Sequence, residues 1–197
     1  MRIFVAGASG VIGVRLIPLL VAAGHAVAGM TRSPEKAGLL AGLGAEPVVC
    51  DVFDAAALTQ AITAFRPDVV LHQLTDLPDD VSRLGEFGGR NARVRSEGTR
   101  NLVAAAAAAG AVRVIAQSIS WELPAESARA VTGEHERMVL DAGGVVIRYG
   151  QFYGPGTYFE TEPPPPPRIH VDDAASQTLP VLDLPGGVTV VVDDRAR

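Results

Sequence analysis

The sequence predicts an α/β fold, a doubly wound parallel sheet with helices on both faces and right-handed crossovers. Strand-like and helix-like patterns alternate along the whole chain. The first predicted strand, residues 2–6, leads at once into three glycines spaced by three, Gly7, Gly10 and Gly13, where an apolar helical pattern begins. A later run, VVLHQL at residues 69–74, is nearly all apolar, as expected of a strand that is buried on both faces.

Composition bounds the size of the fold and the class of partner. With 197 residues and 48% hydrophobic composition, the chain suits one domain, residues 1–197, with a substantial core. A formal charge of −5 and the lack of a lysine or arginine cluster argue against nucleic-acid binding, so a small molecule is the expected partner. The sequence leaves open whether the chain forms an oligomer.

Cysteine content and hydropathy indicate where the protein works. Cys50 is the only cysteine, so an internal disulfide is excluded, and a packing role is favoured over reactivity. The N-terminal apolar run is short and contains the glycine turn, so it does not suit a signal peptide, and the sequence has no apolar span that suits a bilayer. We therefore expect a cytoplasmic protein without membrane contact, and the sequence predicts no metal site.

The three glycines suit a turn that binds a dinucleotide. A side chain on Gly7 would obstruct the turn, one on Gly10 would keep a pyrophosphate away from the backbone, and one on Gly13 would push the helix off the strand. The phosphates would bind the free N–H groups at the helix N-terminus, where the dipole favours negative charge. The same spacing can also form a plain turn, but its place directly after the first strand favours the dinucleotide.

The end of the second predicted strand, residues 25–31, indicates which dinucleotide is bound. An acidic residue there would bind the ribose 2′-hydroxyl of NAD. The chain has Thr31, Arg32 and Ser33 instead. An arginine flanked by hydroxyls suits a 2′-phosphate, so the sequence favours NADP over NAD, which stays possible. The alternative interpretation is that Arg32 is a solvated loop residue without a role in binding.

The other elements follow from helix caps, apolar periodicity and turn residues. Gly24 closes the first helix, which Pro18 is expected to bend, and Asp54 can cap the third. Residues 76–90 are polar and turn-rich. The predicted helices are residues 11–23, 34–43, 55–65, 94–109, 127–140 and one ending near 182, and the predicted strands are 2–6, 25–31, 46–49, 69–74, 113–117, 145–148 and 188–192.

Three histidines are each expected to have a role other than catalysis. His72 lies in the apolar fourth strand and is expected to be a hydrogen-bonded packing residue, although its place near the strand end keeps catalysis open. His135, on a helix, is expected to be a solvated surface residue. His170, together with Asp172, is expected to cap and anchor the last helix.

Several motifs taken together make the chain similar to a known family. They are GASGVIG (7–13), the Asp51-Val52 pair, VVLHQL (69–74), EGTRNLV (97–103), RVIAQSIS (113–120), VIRYGQFYGPG (146–156) and IHVDD (169–173). Over nearly its whole length, the chain resembles the extended or atypical short-chain dehydrogenase/reductases, the NAD(P)-dependent sugar epimerase/dehydratase group. The resemblance implies a Rossmann-like fold.

The resemblance also implies which residues would hold the cofactor. The pyrophosphate would lie on the glycine turn, the adenosine phosphate on Arg32, and the adenine beside Asp51. The ribose would lie along the end of VVLHQL, and the nicotinamide near the turn at residues 149–153. The implied cofactor-binding residues are Gly7, Ser9, Gly10, Val11, Ile12, Gly13, Thr31, Arg32, Ser33, Asp51, Val52, Gln73 and Leu74.

The chain departs from the family at the positions that transfer protons. Family members use a tyrosine with a lysine four residues later, whereas the corresponding helix here presents Ala128 and Thr132. The usual asparagine before the Gly-Thr pair is Arg95. A proline-rich bridge at residues 157–170 and a brief tail replace most of the substrate lobe, which implies a rudimentary C-terminal substrate region. A different small substrate, or a partner chain that completes the pocket, is therefore expected.

Hydroxyl groups after the fifth and sixth strands are the remaining candidates for catalysis, because a hydroxyl can polarise a substrate oxygen during hydride transfer. The candidates are Ser118, Ser120, Tyr149 and Tyr153, and the alternative for each is a structural hydroxyl. The sequence thus predicts an NADP(H)-dependent oxidoreductase or epimerase-like enzyme that acts on a small carbonyl or hydroxyl substrate. The competing hypothesis is a non-catalytic NADP-binding sensor or scaffold.

Overall fold

The computed structural model describes residues 1–78, 80–111 and 113–193, and a seven-stranded sheet lies at its centre. The strands are β1 (Arg2–Ala6), β2 (Ala26–Thr31), β3 (Glu46–Val49), β4 (Val69–His72), β5 (Arg113–Ile119), β6 (Val145–Tyr149), β7 (Gln151–Tyr153), β8 (Arg168–His170) and β9 (Gly187–Val191). The large sheet has the order β3-β2-β1-β4-β5-β6-β9 with every neighbouring pair parallel, and β7 pairs with β8 in a separate parallel sheet. This confirms the predicted doubly wound α/β fold.

Helices connect the strands and cover both faces of the large sheet. They are α1 (Gly13–Ala22), α2 (Ala37–Gly42), α3 (Ala55–Phe65), α4 (Leu84–Arg93), α5 (Thr99–Ala108), α6 (Glu126–Asp141) and α7 (Val171–Thr178). Short 3₁₀ turns lie at Pro34–Lys36, Val81–Arg83 and Leu179–Asp183. Within the described ranges, no helix is long and apolar enough to cross a membrane.

The strand order reverses between β1 and β4. From β1 the chain moves outward to β2 and β3, and it then returns to place β4 on the other side of β1. Sheets of this kind bind ligands in the crevice at the carboxyl ends of the strands, at the point of reversal. The topology therefore locates the expected site before any side chain is considered.

The two core layers follow from the alternation of side chains along β1. Ile3 and Val5 pack in the layer that contains the apolar face of α1, whereas Phe4 and Ala6 pack in the layer that contains α3 and α5. All four side chains are fully buried. Because both faces are covered, the central strands contain near-continuous apolar runs, which is the pattern that predicted a parallel sheet.

The largest departure from the sequence prediction is a helix in the polar segment at residues 76–90. The helix α4 continues through a π-helical turn, Val94–Gly98, directly into α5. Polar composition concealed it: none of the α4 residues is buried, and three of the ten are glycines. The helix predicted for residues 94–109 therefore begins at Leu84 instead.

The remaining differences lie at the ends of elements. The strand β5 extends to Ile119, so Ser118 belongs to the strand rather than to the segment after it. The strand β6 likewise includes Tyr149, and β4 ends at His72, two residues earlier than residue 74. The sequence patterns did not predict β7 and β8, although the five prolines between them form neither helix nor strand, as expected.

Arg15 on α1 connects the glycine turn to the C-terminal part of the chain. Its Nε donates to Asp172 Oδ1 at 2.6 Å, and its two terminal nitrogens donate to the carbonyl oxygens of Val11 and Pro155 at 2.8 and 2.6 Å. His170 caps α7 by accepting the backbone N–H of Asp172 at 3.3 Å. The predicted anchoring role of His170 and Asp172 is therefore confirmed.

Close packing of α1 against the turn makes a side chain at Gly13 costly. A Cβ there would lie 2.5 Å from the carbonyl oxygens of both Gly7 and Ala8. Since backbone must shift to relieve this overlap, we expect Gly13→Ala to lower the free energy of unfolding by about 1–3 kcal/mol, measured by urea denaturation. The matched control is Gly133→Ala in the exposed part of α6, where a Cβ meets no described atom within 4 Å. That control should gain about 0.5–1 kcal/mol, and an unchanged Gly13→Ala protein would contradict the packing argument.

Candidate cofactor and substrate cleft

A cleft of about 950 Å³ runs along the carboxyl edge of the sheet, over the point where the strand order reverses. Its volume is at the upper end of the range of roughly 300–1,000 Å³ that is usual for small-molecule and cofactor sites. Apart from Gly13, the cofactor-binding residues predicted from the sequence all line it: Gly7, Ser9, Gly10, Val11, Ile12, Thr31, Arg32, Ser33, Asp51, Val52, Gln73 and Leu74.

The glycines of the first turn have different structural roles. Gly7 has a φ of 88°, and a Cβ there would lie 2.6 Å from the carbonyl oxygen of Gln73, so only glycine fits. Gly13 allows α1 to pack on the turn. Gly10 is exposed, and the nearest atom to a Cβ built there is the Gly7 carbonyl oxygen at 3.3 Å. The backbone at Gly10 is therefore open to the cleft, as the approach of a pyrophosphate requires.

A second pocket of about 240 Å³, which we call the arginine pocket, shares part of its wall with the cleft. It lies beyond the ends of β2 and β3 and combines basic, acidic and aromatic side chains. Its lining residues are Arg32, Asp51, Phe53, Asp76, Arg90 and Arg93. The Arg93 guanidinium carbon lies 3.8 Å from the centroid of the Phe53 ring.

Asp76 orients two of these arginines. Its carboxylate accepts two hydrogen bonds from Arg32, at 3.1 and 3.4 Å, and two from Arg90, at 3.0 and 3.1 Å. Burial raises the pKa of Asp76, but the hydrogen bonds from the two guanidinium groups outweigh this and hold the pKa below its ordinary value. Two cations thus share one buried carboxylate. Sequence reasoning missed Asp76, Arg90 and Arg93, although the last two have the i,i+3 spacing of one helix face.

Two buried histidines form one hydrogen-bonded chain behind the cleft. The Nε2 atom of His72 lies 3.0 Å from the hydroxyl of Thr99, which lies 2.7 Å from Nδ1 of His135. The Nε2–H group of His135 donates to the carbonyl oxygen of Gln117 at 2.9 Å, since that oxygen can only accept. The packing role predicted for His72 is confirmed.

The prediction that His135 is a solvated surface residue is wrong. Its side chain is 1% exposed, because this face of α6 packs toward α5 and β5 rather than toward solvent. Burial lowers the pKa of His135 to about 4, with a further contribution from the charge of Arg95. Burial likewise lowers the pKa of His72 well below its ordinary value. Both imidazoles are therefore neutral near pH 7. Within the described ranges, no cluster of His, Cys, Asp and Glu is arranged to hold a metal ion.

Two of the candidate catalytic hydroxyls, Ser118 and Tyr149, line the cleft. The Ser118 hydroxyl donates to Glu136 at 2.5 Å, and the same carboxylate is paired with Arg148 at 2.5 and 3.0 Å. The Tyr149 hydroxyl lies 2.5 Å from Thr178 Oγ1, and burial raises the pKa of Tyr149 to about 12. Both hydroxyls therefore already have a hydrogen-bond partner within the protein.

The other two candidates, Ser120 and Tyr153, lie outside the cleft lining. The Ser120 hydroxyl is buried, without a hydrogen-bond partner in the part of the chain that the structure describes. The Tyr153 hydroxyl donates to Asp193 at 3.0 Å. Arg95, at the position of the family's asparagine, does line the cleft.

Comparison with known families identifies the class of protein. Residues 7–137 match a family described as NAD(P)H-binding, and the chain belongs to that family. A curated relative, the 3-diazoavenalumate denitrifying reductase of a Streptomyces species, is 41% identical over 181 residues, which cover 80% of this chain and 58% of that protein. The chain therefore spans less than two thirds of the length of this relative.

Solved structures of sugar-nucleotide epimerases share the fold. The UDP-glucose 4-epimerase of Thermotoga maritima with UDP-glucose has a TM-score of 0.78 at 17% identity, covering 99% of this chain and 78% of that chain. The UDP-glucose 4-epimerase of Thermus thermophilus in complex with NAD has a TM-score of 0.77 at 22% identity, and the match covers 100% of this chain and 79% of that chain. The predicted resemblance to the extended short-chain dehydrogenase/reductases is confirmed at the level of the fold.

Gly10→Val tests whether the cofactor lies on the glycine turn. Gly10 is exposed, and a Cβ there would contact only the Gly7 carbonyl oxygen, at 3.3 Å, which a small backbone shift relieves. We therefore expect the variant to fold with a modest loss of stability. Its side chain would block the approach of a pyrophosphate, so NADP⁺ binding measured by calorimetry should be lost. Gly38→Val, at an exposed position of α2 away from the cleft, should bind normally. Unchanged affinity in a folded Gly10→Val protein would locate the cofactor elsewhere.

Protonation of the buried histidines should make the protein less stable in acid. A histidine in the unfolded chain has a pKa of about 6.5, whereas that of His135 in the folded chain is about 4. As the pH falls, protons therefore bind His135 in the unfolded chain before they bind it in the folded chain. The free energy of unfolding is at its full value above about pH 6.5 and decreases between pH 6.5 and about 4, by roughly 3 kcal/mol for His135 alone.

Urea denaturation at a series of pH values measures this dependence. Carboxylates also titrate in part of this range, so the comparison with His135→Gln isolates the histidine: the variant should show a smaller slope between pH 6.5 and 4. His25→Gln, which alters a histidine outside the buried network, should keep the slope of the unmodified protein. Identical slopes for His135→Gln and the unmodified protein would contradict the assignment.

Proposed function

We propose that the protein is an NADP(H)-dependent reductase that transfers hydride to a small, electron-poor substrate. The observation that carries the proposal is the continuity of one cleft from the glycine turn to Ser118 and Tyr149. The arginine pocket adjoins the adenosine end of this cleft. Beyond the ends of β5 and β6, which we call the substrate end, the cleft is lined by Trp121, Leu123, Tyr158 and Phe159, among others. The cleft is large enough for a cofactor and a second, partly aromatic molecule.

The arginine pocket supports NADP over NAD. Arg32 follows β2 at the position where an acidic residue would bind the ribose 2′-hydroxyl of NAD. The side chains of Arg32 and Arg90 are 56% and 52% exposed, and both pair with the one carboxylate of Asp76. Each guanidinium has five N–H donors, so donors remain for a phosphate, and the second cation is not neutralised by Asp76. These residues fit the 2′-phosphate of NADP.

The state of the hydroxyls supports reduction over epimerisation. Bound NADPH would supply the hydride. Epimerisation and dehydration in this family also need a base, and Ala128 and Thr132 stand at the positions of the tyrosine and lysine. The raised pKa of Tyr149 keeps its phenol protonated near pH 7, so it cannot act as the base. A substrate that accepts hydride and then takes its proton from water needs no such base. The curated relative at 41% identity is a reductase, which agrees with this assignment.

A non-catalytic NADP-binding sensor is the second candidate. The internal hydrogen bonds of Ser118 and Tyr149 favour it, because neither hydroxyl stands ready for a substrate. The room at the substrate end favours the enzyme, because a sensor needs no space beyond the nicotinamide.

Arg32→Ala tests the cofactor preference. A charge-assisted hydrogen bond contributes on the order of 1.5–3 kcal/mol, so the dissociation constant of NADPH should rise about 10- to 150-fold, while that of NADH changes little. Arg137→Ala removes the same charge from an exposed position of α6 and should affect neither cofactor. Equal losses for NADPH and NADH would show that Arg32 does not contact a 2′-phosphate.

Oxidation of NADPH, followed with small ketones, quinones and sugar nucleotides, tests the reaction. Turnover of a ketone or quinone would support the reductase. Tight NADPH binding without turnover of any of these compounds would instead favour the sensor.

A further inference from the structure

A partly buried cation without an ion-pair partner among the described residues lines the cleft. Arg95 lies in the π-helical turn at Val94–Gly98, and its side chain lines the cleft. Its Nη1 atom is buried and makes no hydrogen bond to any residue that the structure describes. Within residues 1–78, 80–111 and 113–193, none of the ion pairs between side chains includes Arg95. A guanidinium that is partly withdrawn from water and has no counter-charge is costly, so a ligand that pairs with it would gain affinity.

The titratable groups around Arg95 do not neutralise it. Glu136 attracts its charge, but the oxygens of that carboxylate are already bound by Arg148 and Ser118. His135 and His72 are neutral near pH 7, and the charge of Arg95 contributes to this by lowering the pKa of each. Burial lowers the pKa of Arg95 itself, but a guanidinium stays protonated at physiological pH.

The groups expected to bind the cofactor phosphates lie elsewhere. The pyrophosphate would lie on the turn between β1 and α1, and the 2′-phosphate in the arginine pocket, which Arg95 does not line. Arg95 lies away from both of these places: its π-helical turn packs against α6, and α6 in turn packs against β5. The same cleft is also lined by the apolar residues Leu84, Trp121 and Leu123. A charged group and an apolar wall are thus available to one ligand.

We propose that Arg95 is the specificity-determining residue that binds the carboxylate of a small aromatic substrate, an inference that rests on the reductase function proposed above. One guanidinium matches one carboxylate both in charge and in the geometry of two parallel N–H···O bonds. A phosphate dianion would leave an excess of negative charge beside Glu136. The aromatic part of the substrate would pack on Trp121 and Leu123.

Two probes that differ in charge alone test this inference. Cinnamate and cinnamamide have the same aromatic skeleton, and each is titrated by calorimetry into protein saturated with NADP⁺. We expect cinnamate to bind roughly tenfold or more tightly than cinnamamide, because a charge-assisted pair is formed only with the carboxylate. Arg95→Gln should abolish this preference, and Arg95→Lys should retain part of it. Arg100→Gln, which removes a charge from a side chain that is 61% exposed on α5, should leave the preference intact.

Several outcomes would overturn the assignment. They are equal affinities of the two probes for the unmodified protein, no binding of either probe at millimolar concentration, survival of the preference in Arg95→Gln, and tighter binding of inorganic phosphate than of cinnamate. A loss of NADP⁺ affinity in Arg95→Gln without a change in probe preference would assign the residue to the cofactor instead. The comparison of the probes on the unmodified protein keeps the test decisive if Arg95→Gln does not fold.

Failure of the proposed function is distinguishable from failure of this inference. If the unmodified protein does not bind NADP⁺, the reductase proposal fails. Titration of the two probes without cofactor would still show whether Arg95 selects a carboxylate.

Discussion

The cleft depends on a close approach between the turn after β1 and the end of β4. At Gly7 a Cβ would overlap the carbonyl group of Gln73, and at Gly13 it would overlap the carbonyl oxygens of the turn itself. The absence of a side chain at these two positions lets the N-terminus of α1 pack over the point where the strand order reverses. Gly10, between them, is exposed, and a Cβ there would lie 3.3 Å from the Gly7 carbonyl oxygen, a much milder constraint than at Gly7 or Gly13. The turn thus contains two glycines that the fold strictly requires and one that the fold constrains less.

Arginines set the electrostatics of the cleft in a protein whose net charge is −5. Arg90, Arg93 and Arg95 all come from the continuous helix that runs from α4 through the π-helical turn into α5. Asp76 compensates part of the charge at one end, whereas the guanidinium of Arg95 has no ion pair among the described residues. A cleft with cations at separate places attracts anionic ligands and can recognise two of them at once.

The buried polar network behind the cleft joins four elements. His72 on β4, Thr99 on α5, His135 on α6 and the carbonyl of Gln117 on β5 form one chain of hydrogen bonds. Such a network is favourable only when each member has its partner, so it restricts how these elements pack against one another. The same packing keeps both imidazoles neutral beside a cationic guanidinium. The network therefore supplies no counter-charge to Arg95.

The sequence by itself determined the sheet, the glycine turn and the residues that line the cleft beside that turn and the end of β2. These follow from local signals: apolar runs, glycine spacing and the Thr31-Arg32-Ser33 segment at the end of a strand. It did not determine α4, because a polar, glycine-containing helix without a buried face has no apolar periodicity. It also could not show that His135 is buried, since the orientation of α6 depends on what the helix packs against.

Only the tertiary structure decided which charges are paired. Asp76 and Arg32 are 44 residues apart in the chain, and Arg15 and Asp172 are 157 residues apart, yet each pair is in hydrogen-bond contact. In the same way, Glu136 forms its ion pair with Arg148, and Arg95 has no ion pair in the described part of the chain. The sequence shows only which charged residues the chain contains. Which of them neutralise each other depends on the three-dimensional contacts, because electrostatic pairing is set by distance in space and by burial rather than by separation along the chain.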